Sequence, residues 1–314
     1  MKLVFCGTPR FAVPILQALI AAGHEISLVV SQPDRPVGRT QVLTAPPVKE
    51  AARTAGIEVT QPEKIKNNAE FQARLEAIAP DAIIVVAYGR IIPAWMLALP
   101  RFGCINLHAS LLPKYRGAAP IQWAVAMGES VTGNTTMLLE EGLDTGPILL
   151  QREIAIEPEQ TAADLFEVLA TDGAPLVVET LAGLESRSIT PKAQDHTQAT
   201  LAPLLTREDG RMNFNRTAAE LENRWRGFQP WPGAFTFFEG KKLIVHRMKV
   251  MVPAIERATD FAPGTVLADD QRFLVLCAQR TWIELIEVQL EGKKRVSAAE
   301  FLHGHMHITG KRLG

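Results

Sequence analysis

Asn106 and His108 stand two positions apart at the end of the apolar run 104–108. Residues i and i+2 of a strand point to the same side, so both side chains can meet one reacting carbonyl. An amide supplies an N–H donor without titrating, and an imidazole takes or gives a proton near neutral pH. Asp144 lies in the loop 140–146, bounded by glycines that tolerate unusual backbone angles. A carboxylate there would fix the imidazole tautomer. Moving an acyl group onto an amine needs a proton acceptor, a donor for the oxyanion, and a group that orients the base. The three residue types match those needs. Each also has an ordinary structural reading, as a strand-end turn residue, a satisfied histidine and a loop acid. Periodicity alone does not bring Asp144 to His108.

Such a trio needs a scaffold. Short apolar runs at 3–6, 26–30, 82–87 and 104–108 are predicted as buried strands. Between them, 11–22, 48–55 and 70–79 carry apolar residues at helical spacing and stop at Gly23, Gly56 and Pro80. Strands alternating with helices build right-handed βαβ units, hence an α/β fold with an open, doubly wound, mostly parallel Rossmann-like sheet. Ligands of such sheets sit beyond the carboxyl ends of the strands, where His108 is expected. Residues 161–184, with Thr161 as N-cap and a stripe of Leu165, Leu169, Val177 and Leu181, are predicted as helices on the sheet. Residues 187–206 lose periodicity and gain Ser, Thr, Pro and Gln, a linker pattern. Beyond 207, short β-rich runs at 235–238, 243–246, 265–267, 273–277 and 282–286 predict a small OB-like β-barrel.

The chain has 314 residues, enough for two cores. No apolar run approaches the roughly 18 residues that span a bilayer, and the N-terminus reads as a first strand, not a signal peptide. Three cysteines, Cys6, Cys104 and Cys277, lie far apart without a CxxC pair, which fits a reducing cytoplasm. Net charge is −1, unevenly spread: residues 1–199 carry 16 basic and 21 acidic side chains, residues 200–314 carry 17 and 13. A basic C-terminal part permits an anionic macromolecular partner.

The run from Cys104 to Gln122, CINLHASLLPKYRGAAPIQ, resembles the site motif of the folate-dependent formyltransferase family, and within it the members that act on methionyl-tRNA. Further matches come in order: Phe5 to Pro9, Ser31 to Arg39, Ala87 to Gly89, Gly142 to Gly146 and Gln229 to Ala234. They cover nearly the whole chain. The resemblance places the family's catalytic trio on Asn106, His108 and Asp144. It implies that 10-formyltetrahydrofolate is the donor, with Ser110, Leu111, Leu112 and Pro113 lining its site. The pterin would lie near Gly89, Arg90, Ile91 and Ile92 and the 140–144 loop. The acceptor would be the α-amino group of methionine on initiator tRNA, and no metal would be needed. The expected division is a formyltransferase domain over 1–186, a linker over 187–206 and a tRNA-binding OB-like domain over 207–314. The chain is expected to act as a monomer in the cytoplasm, away from membranes.

The segment 32–47 is a long Pro- and Arg-containing stretch between a strand and a helix, and such loops are commonly functional. The resemblance implies that it reaches the tRNA acceptor end, with Arg35, Arg39 and Gln41 as candidate contacts. Family members often carry two lysines after the Gly-Arg pair, where this chain has Thr40 and Gln41. Lys241 and Lys242 head a set of basic residues in the C-terminal part. Trp225, Trp231 and Trp282 are expected in the core before stacking on bases, and His303, His305 and His307 on an exposed tail before binding metal. A nicotinamide-dependent oxidoreductase is disfavoured because 7–12 is not GxGxxG. A purely RNA-binding module leaves the Asn106/His108 pair unexplained. Formyltransferases acting on glycinamide ribonucleotide or sugar nucleotides share the site motif, but call for no second domain or a different one.

Overall fold

A computed structural model describes residues 1–38, 41–251, 261–269 and 272–314. The chain begins with β1 (Lys2–Gly7), α1 (Val13–Ala21) and β2 (Glu25–Val30), then a hairpin of β3 (Arg35–Val37) and β4 (Val42–Thr44). There follow α2 (Pro47–Thr54), β5 (Val59–Thr60), α3 (Ala69–Ile78), β6 (Ala82–Val86), α4 (Ala94–Leu97) and β7 (Cys104–His108). Next come α5 (Pro120–Ala126), β8 (Val131–Leu138), β9 (Ile148–Ala155) and the long α6 (Ala162–Glu185). The remainder holds α7 (Ala218–Gly227), β10 (Ala234–Phe238), β11 (Lys241–Val250), β12 (Val266–Asp269), β13 (Arg272–Leu276), β14 (Trp282–Leu290), β15 (Arg295–Ser297) and α8 (Ala298–His303).

These elements form two compact units. The first comprises Met1–Pro120, Val131–Ala155 and Asp164–Pro203; the second comprises Ile121–Ser130, Ile156–Ala163 and Leu204–Gly314. Residues 187–203, which the sequence presents as linker, thus fold into the first unit. Their backbone pairs with the segment after β7: Arg116 N–H donates to Thr200 O, and Ala202 exchanges bonds with Arg116 and Ala119.

The first unit's sheet runs β5-β2-β1-β6-β7-β8-β9. Its first five strands are parallel, and β8 and β9 turn antiparallel. The mostly parallel α/β sheet expected from the alternating pattern is therefore present. β6 is buried at every position, as a central strand covered on both faces should be. Val4, Cys6, Leu28, Val30, Ile83, Val85 and Met96 form the core on one side. On the other, α6 crosses β7, and Gly173 is what permits the approach. A Cβ at that position would stand 2.6 Å from Leu107 Cδ2.

The second unit is an antiparallel sheet in the order β10-β11-β14-β13-β12, with β15 also on β14. β14 pairs with β13 through its first half and with β15 through its second. Register shifts in β11 between Val245 and Met248 let that ten-residue strand bend around the core. Phe238, Leu243, Val245, Phe273, Val275, Ile283, Leu285 and Phe301 fill the interior, which is the small OB-like architecture the spacing implied. Trp282 is fully buried and Trp225 packs against this core, but Trp231 is half exposed. His305 does not extend into solvent as a tail residue would: it stacks on Phe301 at 4.3 Å and bonds the Phe301 carbonyl.

Leu107 sits between the two site residues of β7 and is buried against α6. Leu107→Ala is expected to lower the unfolding free energy by about 2–5 kcal/mol in urea titrations. A loss under half of that would mean α6 does not seal this face.

Candidate active site

β7 lies between β6 and β8, with Asn106 opposite Val85 and Met137 and His108 opposite Thr135. Both side chains leave the same face at the carboxyl end of the strand. Asn106 is half-buried, and its amide makes no hydrogen bond among the described residues. His108 is buried, with 6% exposure. Its Nε2 lies 2.9 Å from the Tyr115 carbonyl oxygen. A carbonyl only accepts, so Nε2 carries the proton and Nδ1 keeps a lone pair in the neutral ring. Nδ1 faces Asp144 Oδ2 at 3.7 Å. The tautomer is thus fixed by the backbone of Tyr115, where the sequence suggested the carboxylate would do it. Asp144 is placed to offset charge on Nδ1 once that atom gains a proton.

Asp144 reaches this position by a reversal. β8 runs antiparallel to β7 and ends at Leu138 opposite Ile105, near the start of β7. The loop between β8 and β9 must fold back along the sheet to bring Asp144 to the far end. Asp144 takes a left-handed conformation, φ 51°, and accepts the Gly117 N–H at 2.8 Å on Oδ2. Gly146 closes the loop, where a Cβ would lie 1.9 Å from Leu138 O.

The turn after His108 is built from buried hydrogen bonds. Thr135 Oγ1 donates to Ser110 O at 2.6 Å and accepts the Leu112 N–H at 3.2 Å. Gln151 Nε2 donates to Leu112 O and to Thr135 Oγ1. Ser110 is fully buried, with its hydroxyl donated to Lys114 O at 2.6 Å, and Leu112 is buried as well. Of the four residues expected to line a donor site, Leu111 and Pro113 keep exposed surface.

Gly89, Arg90, Ile91 and Ile92 follow β6, the neighbour of β7. Ile91 projects into solvent with 90% exposure, whereas Ile92 is buried in the core. Arg90 is spent on the scaffold: it donates to Gln32 Oε1 at 3.1 Å and to the Glu63 carbonyl. Gln32 also begins the 32–47 segment. That segment holds the hairpin β3–β4, with Arg35 paired to Thr44 across it. Its stems are clamped by Lys49, whose ammonium bonds both carboxylate oxygens of Asp34 at 2.7 Å, and by Gln61, which donates to Asp34 and Gln32. Lys49 and then Gln61 hold the Asp34 carboxyl below its ordinary range. Arg35 is exposed, as are the apolar Val42 and Leu43. The Gln41 side chain bonds the Gly38 carbonyl at 2.8 Å. Arg39 lies outside the described residues. In the second unit Lys241 is exposed at the start of β11, and the Lys242 ammonium lies 3.7 Å over the Phe235 ring.

Four contributors gave no clear sequence signal. Tyr115 and Gly117 act through backbone atoms, and Thr135 lies on the neighbouring strand. Gln194 lies in the stretch that reads as linker.

The chain matches the family described as formyl transferase over residues 1–181 and the formyl transferase C-terminal domain over residues 204–306. It is 64% identical to a protein named methionyl-tRNA formyltransferase from Acidobacterium capsulatum, with 100% of both chains covered. It is 56% identical to one of the same name from Koribacter versatilis, covering 100% of this chain and 99% of that one. Among solved structures, its fold is similar to that of the sugar 3N-formyl transferase WlaRD, with TM-score 0.64 and 18% identity over 94% of this chain and 99% of that one. The N-formyltransferase from Helicobacter canadensis gives TM-score 0.65 and 18% identity, covering 91% and 98%.

The three cysteines are buried and free. Burial pushes the Cys104 and Cys277 thiols up to about 12, and burial, reinforced by Cys104, raises the Cys6 thiol well above its ordinary value. Thiols held in that form are poor nucleophiles. Native protein is expected to leave all three unreacted toward a thiol reagent over minutes and to expose three on denaturation. Rapid native labelling of Cys104 would show that the face behind Asn106 opens.

Proposed function

This chain belongs to the formyl transferase family, and we propose that it moves the formyl group of 10-formyltetrahydrofolate onto the α-amino group of methionine carried by initiator tRNA. The observation that carries this reading is the full-length identity with methionyl-tRNA formyltransferases, second unit included. Asn106, His108 and Asp144 carry the chemistry. When the amine attacks the formyl carbon, charge develops on the formyl oxygen. The unengaged Asn106 amide supplies an N–H for it without changing protonation. His108 takes the amine proton at Nδ1, since Nε2 is committed to the Tyr115 carbonyl. The Asp144 carboxylate offsets the imidazolium charge, and His108 returns the proton to the leaving nitrogen of the folate. The folate supplies the activated carbon.

The donor sits at the carboxyl ends of β6 and β7, against Leu111, Pro113 and the Gly89–Ile92 turn, with Ser110 and Leu112 shaping the wall from behind. Arg35, Arg39 and Gln41 of the hairpin segment, with Lys241 and Lys242 of the second unit, meet the RNA. Residues 207–314 form the tRNA-binding domain and the first unit the catalytic one. All three catalytic groups come from one chain, which supports action as a monomer. The sparse, unpaired cysteines support a cytoplasmic setting. No helix among the described residues is long and apolar enough to cross a membrane.

Formyl transfer from 10-formyltetrahydrofolate to methionyl-tRNA, with uncharged tRNA as the blank, tests the reading. His108→Ala and Asp144→Ala are each expected to lower turnover by about 10²–10⁴-fold. Near-wild-type turnover in either would remove that residue from the mechanism. The acceptor's KM is expected to rise with salt while the donor's stays nearly constant. Arg35→Ala should reduce the log–log salt slope by about one unit for each phosphate that Arg35 neutralises. An unchanged slope would place the RNA elsewhere.

A further inference from the structure

Gln194 is buried, 7% exposed, and its amide is fully engaged. Oε1 accepts from Arg116 Nε at 3.2 Å and Nη2 at 2.6 Å. Nε2 donates to the carbonyls of Asp144 at 2.9 Å and Gly146 at 2.7 Å. A guanidinium only donates and a carbonyl only accepts, so the amide has a single orientation. The two loops it joins are the two that flank His108. One presents the Tyr115 carbonyl to Nε2, one residue before Arg116. The other presents the Asp144 carboxylate to Nδ1. Tyr115 and Asp144 both hold left-handed backbone conformations, φ 61° and 51°. Such conformations persist only where surrounding bonds over-determine them.

We propose that Gln194 is a positioning residue for formyl transfer. Its amide holds the Tyr115 carbonyl and the Asp144 carboxylate at a fixed separation, so that the imidazole between them keeps one tautomer and one direction. Gln194 touches neither substrate and acts through the two loops. The inference rests on the reading of His108 and Asp144 as the catalytic pair.

Gln194→Glu is the informative variant. It keeps an acceptor for the buried Arg116 guanidinium, loses both donated bonds and sets a carboxylate against two carbonyl oxygens. In single-turnover formylation of methionyl-tRNA by the whole enzyme, its rate constant is expected to fall about tenfold or more at full amplitude, because small misplacements of reacting groups carry penalties of that order. The half-saturating tRNA concentration should not move. A role confined to folding would instead lower the amplitude and leave the rate constant unchanged; that result, or a wild-type rate constant, overturns the proposal. A variant that does not fold leaves a test on the wild-type enzyme. There the Gln194 side-chain NH₂ protons should be protected from solvent exchange in NMR spectra, and rapid exchange of both overturns the proposal. His108→Ala and Asp144→Ala run alongside. If these keep the wild-type rate, the reading of the site falls; if they lose it while Gln194→Glu does not, only the brace falls.

Discussion

The hydrogen bond from His108 Nε2 to the Tyr115 carbonyl sets the terms for everything around it. A buried imidazole must satisfy its N–H, and using a backbone carbonyl seven residues on obliges the chain to turn straight back over the end of β7. That turn is not self-supporting. Its carbonyls and amides are met by Thr135 and Gln151 from β8 and β9, and by the backbone of 200–202 from the far side. Fixing one ring nitrogen also fixes what the other can do. Nδ1 is left as the ring's proton acceptor, facing the Asp144 carboxylate that the β8–β9 loop sends back along the sheet. The mostly parallel sheet supplies the strand end, and its antiparallel extension supplies the return loop, so the change of strand direction after β7 is itself part of the site.

Charge is arranged to keep that carboxylate available. Arg116 is buried and adjoins Gly117, whose N–H holds Asp144, yet its guanidinium donates to neutral acceptors, Gln194 Oε1 and His196 Nδ1. A direct Arg116–Asp144 pair would have tied the carboxylate to a permanent cation and weakened its response to a proton arriving on His108. Inserting a neutral amide between them satisfies the guanidinium and leaves Asp144 Oδ2 to the Gly117 N–H. A buried polar network of this kind rigidifies when every member is satisfied, and the Gln194 amide is engaged at both ends.

The parts of this arrangement that were legible in the sequence are those encoded over short spans. β1, β2, β6 and β7 follow from unbroken apolar runs, and α1 from helical spacing ended by Gly23. The i, i+2 relation of Asn106 and His108 follows from strand geometry alone. What remained hidden was non-local. Asp144 is 36 residues from His108 and arrives by a loop whose direction depends on β8 being antiparallel, which no periodicity reports. Tyr115 acts through its carbonyl, so its side-chain identity carries no signal. Residues 187–203 look like a linker because a strand-like strap bonded through its backbone needs no apolar alternation. The hairpin at 35–44 was obscured similarly: its short strands are held at their base by Lys49, Asp34 and Gln61, which are spread over two further elements.

The chemistry itself does not distinguish one primary amine from another. On the proposed reading, Asn106, His108 and Asp144 address a formyl oxygen and an amine proton, and those atoms are the same on an aminoacyl-tRNA and on an amino sugar. Selection of the acceptor must therefore come from surface outside the trio, through binding energy that a small amine lacks. Two features have the reach. The hairpin projects from the end of β2, with Arg35 and the apolar Val42 and Leu43 exposed. The second is the C-terminal part of the chain, where residues 200–314 carry 17 basic and 13 acidic side chains. Where lysines commonly follow the Gly-Arg pair, this chain has Thr40 and Gln41, so on the proposed reading the hairpin would contribute less through phosphate charge and more through contact of the neighbouring Val42 and Leu43 with unstacked bases or ribose. Counterion release would then fall mainly to the second unit, where Lys241 is exposed while Lys242 lies over an aromatic ring. On the proposed reading, the hairpin would set where the acceptor end is placed and the second unit how tightly the RNA is held, with Arg35 contributing to both, so damage to Val42 and Leu43 would appear in turnover and damage to Lys241 in affinity.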